Sequence, residues 1–529
     1  MASLSNLPSE PVAAPGIAPV SLRDEFRRNM GLISRQSITF FVGTIFTMGA
    51  GYLVKIYVAR VLGAELLGLY ALGMTLVSLT QLVGCLGLNG AAARYVAVYN
   101  GTGRYDHLRG FLTRSVGVVL CLNLVLSVGL VFWGGWLAQH LYHAPDLGQY
   151  IPLFAVLTVL GALNVFYCQV LAGFKDIAKR TIITNFVGTT LVSALTVALL
   201  AFGSGMRGYL WAQIVNSVVV VGLLVAVAWK LTPRAARFSR AALPPLEPEV
   251  KVFAAAAFGM GALDFLVTQA DKILLGLYLN PAMVGIYVVA STLSALIPLV
   301  LQSVNQIFAP VISDLHSRKR KDVLQRLFQS LTKWVLAFTL PLAFVVIAFA
   351  APLMRIFGVA FEPGWPVLVI GAVGQVVNCG VGSVGYLLLM SGNQKRLMKV
   401  QFVMVAVSLL MNVTLIPVFG VIGAALASAV VNVAGNIWNL AEVRKALEIF
   451  PYNRSYFALM IPALLSVGAV VVLRIWALPS MRPWLGILAA VAVSYIVFAV
   501  FALNFSLDDD DRMVAASAWA QVRASLLRR

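Results

Sequence analysis

The chain has 529 residues, 60% of them hydrophobic and only 11% charged, with a mean hydropathy of +0.90 and a formal net charge of +19. A soluble domain carries about 25% charged residues, so a water-exposed surface is excluded for most of this chain and lipid must be its solvent. The positive charge collects in alternate turns between apolar stretches, so membrane topology accounts for it and nucleic acid as a partner is excluded.

Residues 1–35, rich in Ala, Pro and Ser, lack the apolar core of a signal peptide and are expected to form a disordered cytoplasmic tail. Fourteen stretches long enough to cross a bilayer follow, at 36–58, 66–90, 114–136, 150–173, 180–203, 208–231, 251–278, 283–308, 328–352, 363–391, 397–418, 420–442, 455–478 and 483–505. Of 39 Lys and Arg, 32 fall in the tails and in every second turn, while the opposite turns hold only Arg60, Arg207, Arg355, Arg474 and Arg482. The basic side is therefore expected to be cytoplasmic, with both termini there and the chain multi-pass in the cytoplasmic (inner) membrane.

The longest polar interruption, 232–250 (TPRAARFSRAALPPLEPEV), separates the first twelve stretches into a lobe at 36–231 and a lobe at 251–442, each of six helices. The two lobes repeat one another. Leu67-Gly-Leu-Tyr70 aligns with Val284-Gly-Ile-Tyr287, YCQVLAG ending at Gly173 aligns with YLLLMSG ending at Gly392, and Gly205-Met-Arg-Gly208 aligns with Gly420-Val-Ile-Gly423. The expected fold is an all-α polytopic membrane protein with two pseudo-symmetric six-helix lobes and two further helices at 455–505. The end of the chain, 506–529, is read as a cytoplasmic tail, either amphipathic with Arg512, Arg523, Arg528 and Arg529 on lipid phosphates or simply frayed.

An ionisable side chain at mid-membrane costs about 2.5–3.5 kcal/mol on insertion scales, so each needs a partner or a role. In the seventh stretch Asp264, Thr268 and Asp271 stand at i, i+4 and i+7 on one face, with Lys272 beside them. The first stretch places Thr44, Thr47 and Lys55 on one face with Arg60 just beyond, and the second leads through Asn89 to Arg94. The eighth carries Ser291, Ser294, Gln302 and Asn305, interrupted by Pro298. Two readings stand side by side: a polar cavity lined from corresponding helices of the two lobes, or plain structural service. In the second reading Lys55 and Lys272 snorkel, Arg94 anchors at the headgroups, Asp271 pairs with a cation on another helix, and the hydroxyls hydrogen-bond between helices.

The remaining motifs narrow the field. Cys85, Cys121, Cys168 and Cys379 are dispersed in apolar stretches without CxxC spacing and are expected to be packing residues. Gly380, Gly382 and Gly385 spell GxGxxG inside an apolar helix, where no nucleotide site forms, and there is no GxxxxGK[ST]. The four histidines lie in turns without metal-ligand spacing, and no catalytic constellation or cofactor site is read from the residues.

The chain resembles the Wzx-like polysaccharide transporters of the multidrug/oligosaccharidyl-lipid/polysaccharide flippase superfamily. The segments that carry the resemblance are VARVLGAELLGLYALGMTLVSL (58–79), LGLNGAAARYVAVY (86–99), ADKILLGLYLNPAMVGIYVVASTL (270–293), LMSGNQKRLMKV (389–400) and LIPVFGVIGAALASA (415–429). This resemblance implies a fourteen-helix flippase, not an enzyme. Such proteins move polyprenyl-pyrophosphate-linked oligosaccharide repeat units across the membrane by alternating access, for O-antigen, capsule or exopolysaccharide assembly. It implies membrane lipids and a polysaccharide polymerase as partners. Lys55, Arg60, Arg94 and Lys272 are then candidate contacts for pyrophosphate, by charge and position. Asp264 or Asp271 is the candidate carboxylate if transport is coupled to Na⁺ or H⁺. Three alternatives stay open on the sequence: an ion-coupled multidrug exporter, a lipid II flippase, and a non-transporting scaffold of an envelope-synthesis complex.

Overall fold

The computed structural model describes residues 22–237, 243–476 and 483–505, and every regular element among them is a helix. In lipid this is the arrangement by which a segment satisfies its own backbone N–H and C=O groups. Residues 22–35, expected within a disordered tail, begin the helix Leu22–Cys85 instead. No glycine interrupts that stretch before Gly31, and it holds four Arg, two Leu, Glu25 and Met30, all good helix formers. The proposed tail at 506–529 lies outside the described residues.

Among the described residues twelve helices are long and apolar enough to cross a membrane, and thirteen if one bent pair counts as a single span. The expected number was fourteen. The difference begins at the first two expected stretches, which form one helical segment, Val42–Cys85. At 44 residues and 1.5 Å per residue it would run about 66 Å, twice the hydrocarbon thickness. Gly63, at φ 78° and ψ 178°, leaves helical geometry and turns the chain there without a loop. The bent pair is Pro281–Ser294 with Leu299–Gln306, set at 56° across the segment that holds Pro298.

The repeat visible in the sequence recurs in the coordinates. Gly205 and Gly420, aligned between the two lobes, both have positive φ (55° and 58°), and each stands at the start of a helix of 27 residues, Gly205–Leu231 and Val421–Leu447. The two halves meet very differently at their two ends. At the end carrying Arg60 and Arg355, one hydrophobic core runs through both halves, joining Val58, Leu62 and Leu72 to Leu275, Val284 and Phe357. At the basic end there are two separate cores. One, around Tyr95, Phe111 and Phe166, belongs to the first half with the start of the helix Pro248–Tyr278; the other, around Phe308, Phe328 and Leu387, belongs to the second. Apolar burial therefore runs as one core through both halves at one end and divides into two at the other, where the start of the helix Pro248–Tyr278 packs with the first half.

The last two helices, Met460–Trp476 and Pro483–Phe505, pack on each other and on Lys321–Ala348. Buried Ser466 and Ser494 lie 2.8 Å apart, and Ser494 Oγ also donates to the carbonyl of Pro341 at 3.1 Å. Phe132, Trp133 and Trp136 point outward from the helix Tyr105–Trp136, as lipid-facing side chains do. Three of the cysteines are buried packing residues, whereas Cys121 is exposed.

Candidate functional site

The helix Pro248–Tyr278 stands between the halves, packed against Leu22–Cys85 and Leu88–Gly101 on one side and Gln394–Phe419 on the other. Successive residues on a helix diverge by about 100°, so Asp271 and Lys272 look into different spaces. Asp271 lines a cavity of about 460 Å³ inside the second half, with Asp264, Tyr287, Ser291, Gln375 and Asn432. Lys272 lines a cavity of about 200 Å³ between the halves, with Lys55, Tyr70, Ser78, Tyr209 and Thr292. A third space, about 270 Å³, lies nearer the basic end and brings Asp264 and Thr268 together with Gln81, Cys85 and Asn89 of the first half. Asp264, itself exposed, borders both the first and the third.

The hydrogen bonds around Asp271 and Lys272 keep the two charges apart. Tyr287 Oη donates to Asp271 Oδ2 at 2.6 Å and lies 3.2 Å from Ser428 Oγ, while the Lys272 backbone N–H donates to Oδ1 at 2.8 Å. The Lys272 ammonium turns away and donates to Gln269 Oε1 at 2.8 Å and to the Thr268 carbonyl at 3.4 Å. Both acceptors are neutral. Lys55, from the other half, makes no ion pair among the described residues, and no carboxylate lines the cavity it shares with Lys272. Two ammonium groups thus share one recess that no carboxylate lines among the described residues, and burying like charges together is costly.

The other expected site residues are spread more widely. Thr47 faces its own half: its hydroxyl donates to the Asn185 carbonyl at 3.4 Å and lies 3.2 Å from Thr189 Oγ1. Thr44, three residues earlier on the same helix, lines none of the three cavities. Arg60 latches the halves at their joined end, its Nε donating to the Ile356 carbonyl at 2.7 Å. Arg94 stacks over Phe253 at 4.8 Å at the basic end. The bend after Ser294 separates the eighth stretch: Ser291 remains on the large cavity, whereas Gln302 and Asn305 lie past the bend and line none of the three. Asn305 Oδ1 is buried without a hydrogen-bond partner among the described residues.

Sequence reasoning missed a second polar stripe. Asn432, Asn436 and Asn439, at i, i+4 and i+7, line the large cavity opposite Asp271, joined by Gln375 and Gln401 from two other helices. The spacing was there to be found, but neutral amides cost less in lipid than charges do and can be satisfied by hydrogen bonds between helices, so they stand out less. Tyr52, whose hydroxyl donates to the Thr292 carbonyl at 2.9 Å across the halves, left no local signal at all.

Comparison with known proteins decides the family. The model of the family described as polysaccharide biosynthesis protein matches residues 33–316, more than half of the chain. The chain belongs to the polysaccharide biosynthesis protein family. It is 24% identical over 439 residues to the probable flippase AglR of Haloferax volcanii, covering 80% of this chain and 86% of that protein. It is also 23% identical over 403 residues to the probable low-salt glycan biosynthesis flippase Agl15 of the same organism, covering 75% and 80%. Its fold is that of lipid II flippase MurJ in an inward closed conformation, with a TM-score of 0.70 at 14% identity over 88% of this chain and 98% of that one. An inward-facing multidrug resistance MATE family transporter matches with a TM-score of 0.63 at 15% identity, over 79% and 98%. This polysaccharide biosynthesis protein is a multi-pass membrane protein, similar in sequence to two probable flippases and in fold to solved lipid and multidrug transporters.

Proposed function

We propose that the chain carries polyprenyl-pyrophosphate-linked oligosaccharide repeat units across the cytoplasmic membrane, for assembly of a surface polysaccharide such as O-antigen, capsule or exopolysaccharide. The observation that supports this reading best is the pairing of Lys55 with Lys272, one from each half, in a recess without a carboxylate. A pyrophosphate placed there would bridge the two bodies that must move relative to one another. The hydroxyl-rich head would occupy the polar spaces beside it, where side chains replace the water it must leave. The polyprenyl chain would stay in lipid.

In this reading 36–231 and 251–442 act as the rocking lobes, the basic end faces the cytoplasm, and the joined end at Arg60 is the closed outer gate. Coupling to Na⁺ or H⁺, where present, would fall to Asp264 or Asp271. A polymerase that takes the flipped units is the expected partner. The reading is tested by reconstituting the full chain in liposomes with a fluorescent polyprenyl-pyrophosphate disaccharide and following its loss from one leaflet. Transport should fall by about tenfold or more in Lys55→Gln and in Lys272→Gln, the loss of a charge-assisted contact. Wild-type rates in both variants would remove the lysine pair from the mechanism and the reading with it.

A further inference from the structure

We infer that the cavity of about 460 Å³ in the second half is the saccharide subsite, and that it accepts a head group that is uncharged or bears an ammonium while rejecting one that bears a uronate. This rests on the proposed function above and names the class of glycan that the same passage takes. The volume falls within the about 300–1,000 Å³ of small-molecule sites.

Its walls are polar but one-sided in charge. Asp264 and Asp271 supply carboxylates, Gln375, Gln401, Asn432 and Asn436 supply amides, and neither lysine nor arginine lines it. Amides and carboxylates together offer both donors and acceptors to vicinal hydroxyls. One acceptor already stands unused: Asn439 Oδ1, on the same wall, is buried without a partner among the described residues. A uronate carboxylate would sit beside Asp264 and Asp271 with no lysine or arginine in the cavity wall to neutralise it, and like charges placed together are disfavoured. An amino sugar would meet the opposite field.

The arrangement also orients the substrate. Because Asp271 and Lys272 are consecutive and face different cavities, the anionic linkage is drawn to one side of the helix and the sugar to the other.

The test uses the full chain in nanodiscs and two probes, a polyprenyl-pyrophosphate-linked N-acetylglucosaminyl-glucose and the same lipid with glucuronate in place of glucose. Binding at neutral pH should favour the neutral probe by about tenfold or more. The Asp264→Asn, Asp271→Asn double variant should lose that preference, and Asn432→Asp, which adds a charge to the opposite wall, should widen it. Lys55→Gln should weaken both probes alike. Equal affinity for the two probes, tighter binding of the glucuronate probe, or a preference unaltered by the double variant would overturn the inference. If both probes bind and both depend on Lys55, the proposed function survives that result. If neither probe binds, the proposed function falls together with the subsite.

Discussion

Gly68 and Gly285 hold the same place in the two repeats, 217 residues apart in sequence, and their helices cross at that point. A Cβ on Gly68 would stand 1.7 Å from the Pro281 carbonyl oxygen, and one on Gly285 would stand 2.0 Å from that of Ala64. The two repeats thus meet at a seam where backbone approaches backbone, as small residues permit between membrane helices.

Gly285→Ala should wedge this seam, because its new methyl meets backbone, which cannot move aside as a side chain can. An overpacking cost of about 1–3 kcal/mol is expected, and it falls on the joined state in particular. Leu67→Cys, in a chain otherwise free of cysteine, should become more reactive to a membrane-impermeant thiol reagent when Gly285→Ala is added. Gly68→Ala should behave alike, and the double variant should add less than the sum, since both relieve one contact.

Arg60→Ala should weaken the same gate more gently. Its Nε donates to the Ile356 carbonyl at 2.7 Å from an exposed position, so the bond contributes about 1 kcal/mol. That corresponds to about a fivefold shift between joined and parted halves. The same Leu67→Cys labelling should rise by a similar factor, and unchanged labelling would mean that the latch does not bias the gate.

Tyr287→Phe removes the hydroxyl that donates to Asp271 at 2.6 Å. The carboxylate then keeps the Lys272 backbone N–H but loses its shortest hydrogen bond. Thermal unfolding of the purified protein should report a loss of about 1–3 kcal/mol, the cost of a polar group left short of partners. In a double-mutant cycle with Asp271→Asn the two losses should couple, whereas two independent residues would simply add.

Glu247 clamps the polar linker to the first half at the basic end. It accepts from Tyr99 Oη at 2.7 Å and pairs with Arg104, with His107 Nε2 at 3.5 Å. The Tyr99 hydrogen bond, then Arg104 and His107, hold its carboxyl below the ordinary carboxylate range. A group whose folded pKa is depressed contributes stability above its unfolded pKa and loses it as pH falls through the folded one. The clamp should therefore be intact at neutral pH and open only below the usual carboxylate range. Proteolysis within 232–247 should stay slow in mild acid and accelerate at lower pH, and Glu247→Gln should remove that pH step.

Much of this could be read along the chain, because insertion in lipid is a local property. Hydropathy, alternating basic turns and the repeated glycine motifs specify helices, their number to within one or two, and the kinship of the two halves. The cost of a charge in lipid likewise marked Asp264, Asp271, Lys55 and Lys272 before any coordinates. What their side chains face was not local. Asp271 and Lys272 are neighbours in sequence, and only the packing of other helices around them assigns one to an amide-lined cavity and the other to a recess shared with Lys55. The same holds for Arg60, which the sequence placed just beyond the polar face of the first stretch and which tertiary contact turns into a latch on Ile356. Sequence spacing groups residues on one face of a helix; whether that face meets lipid, a partner or water depends on residues hundreds of positions away.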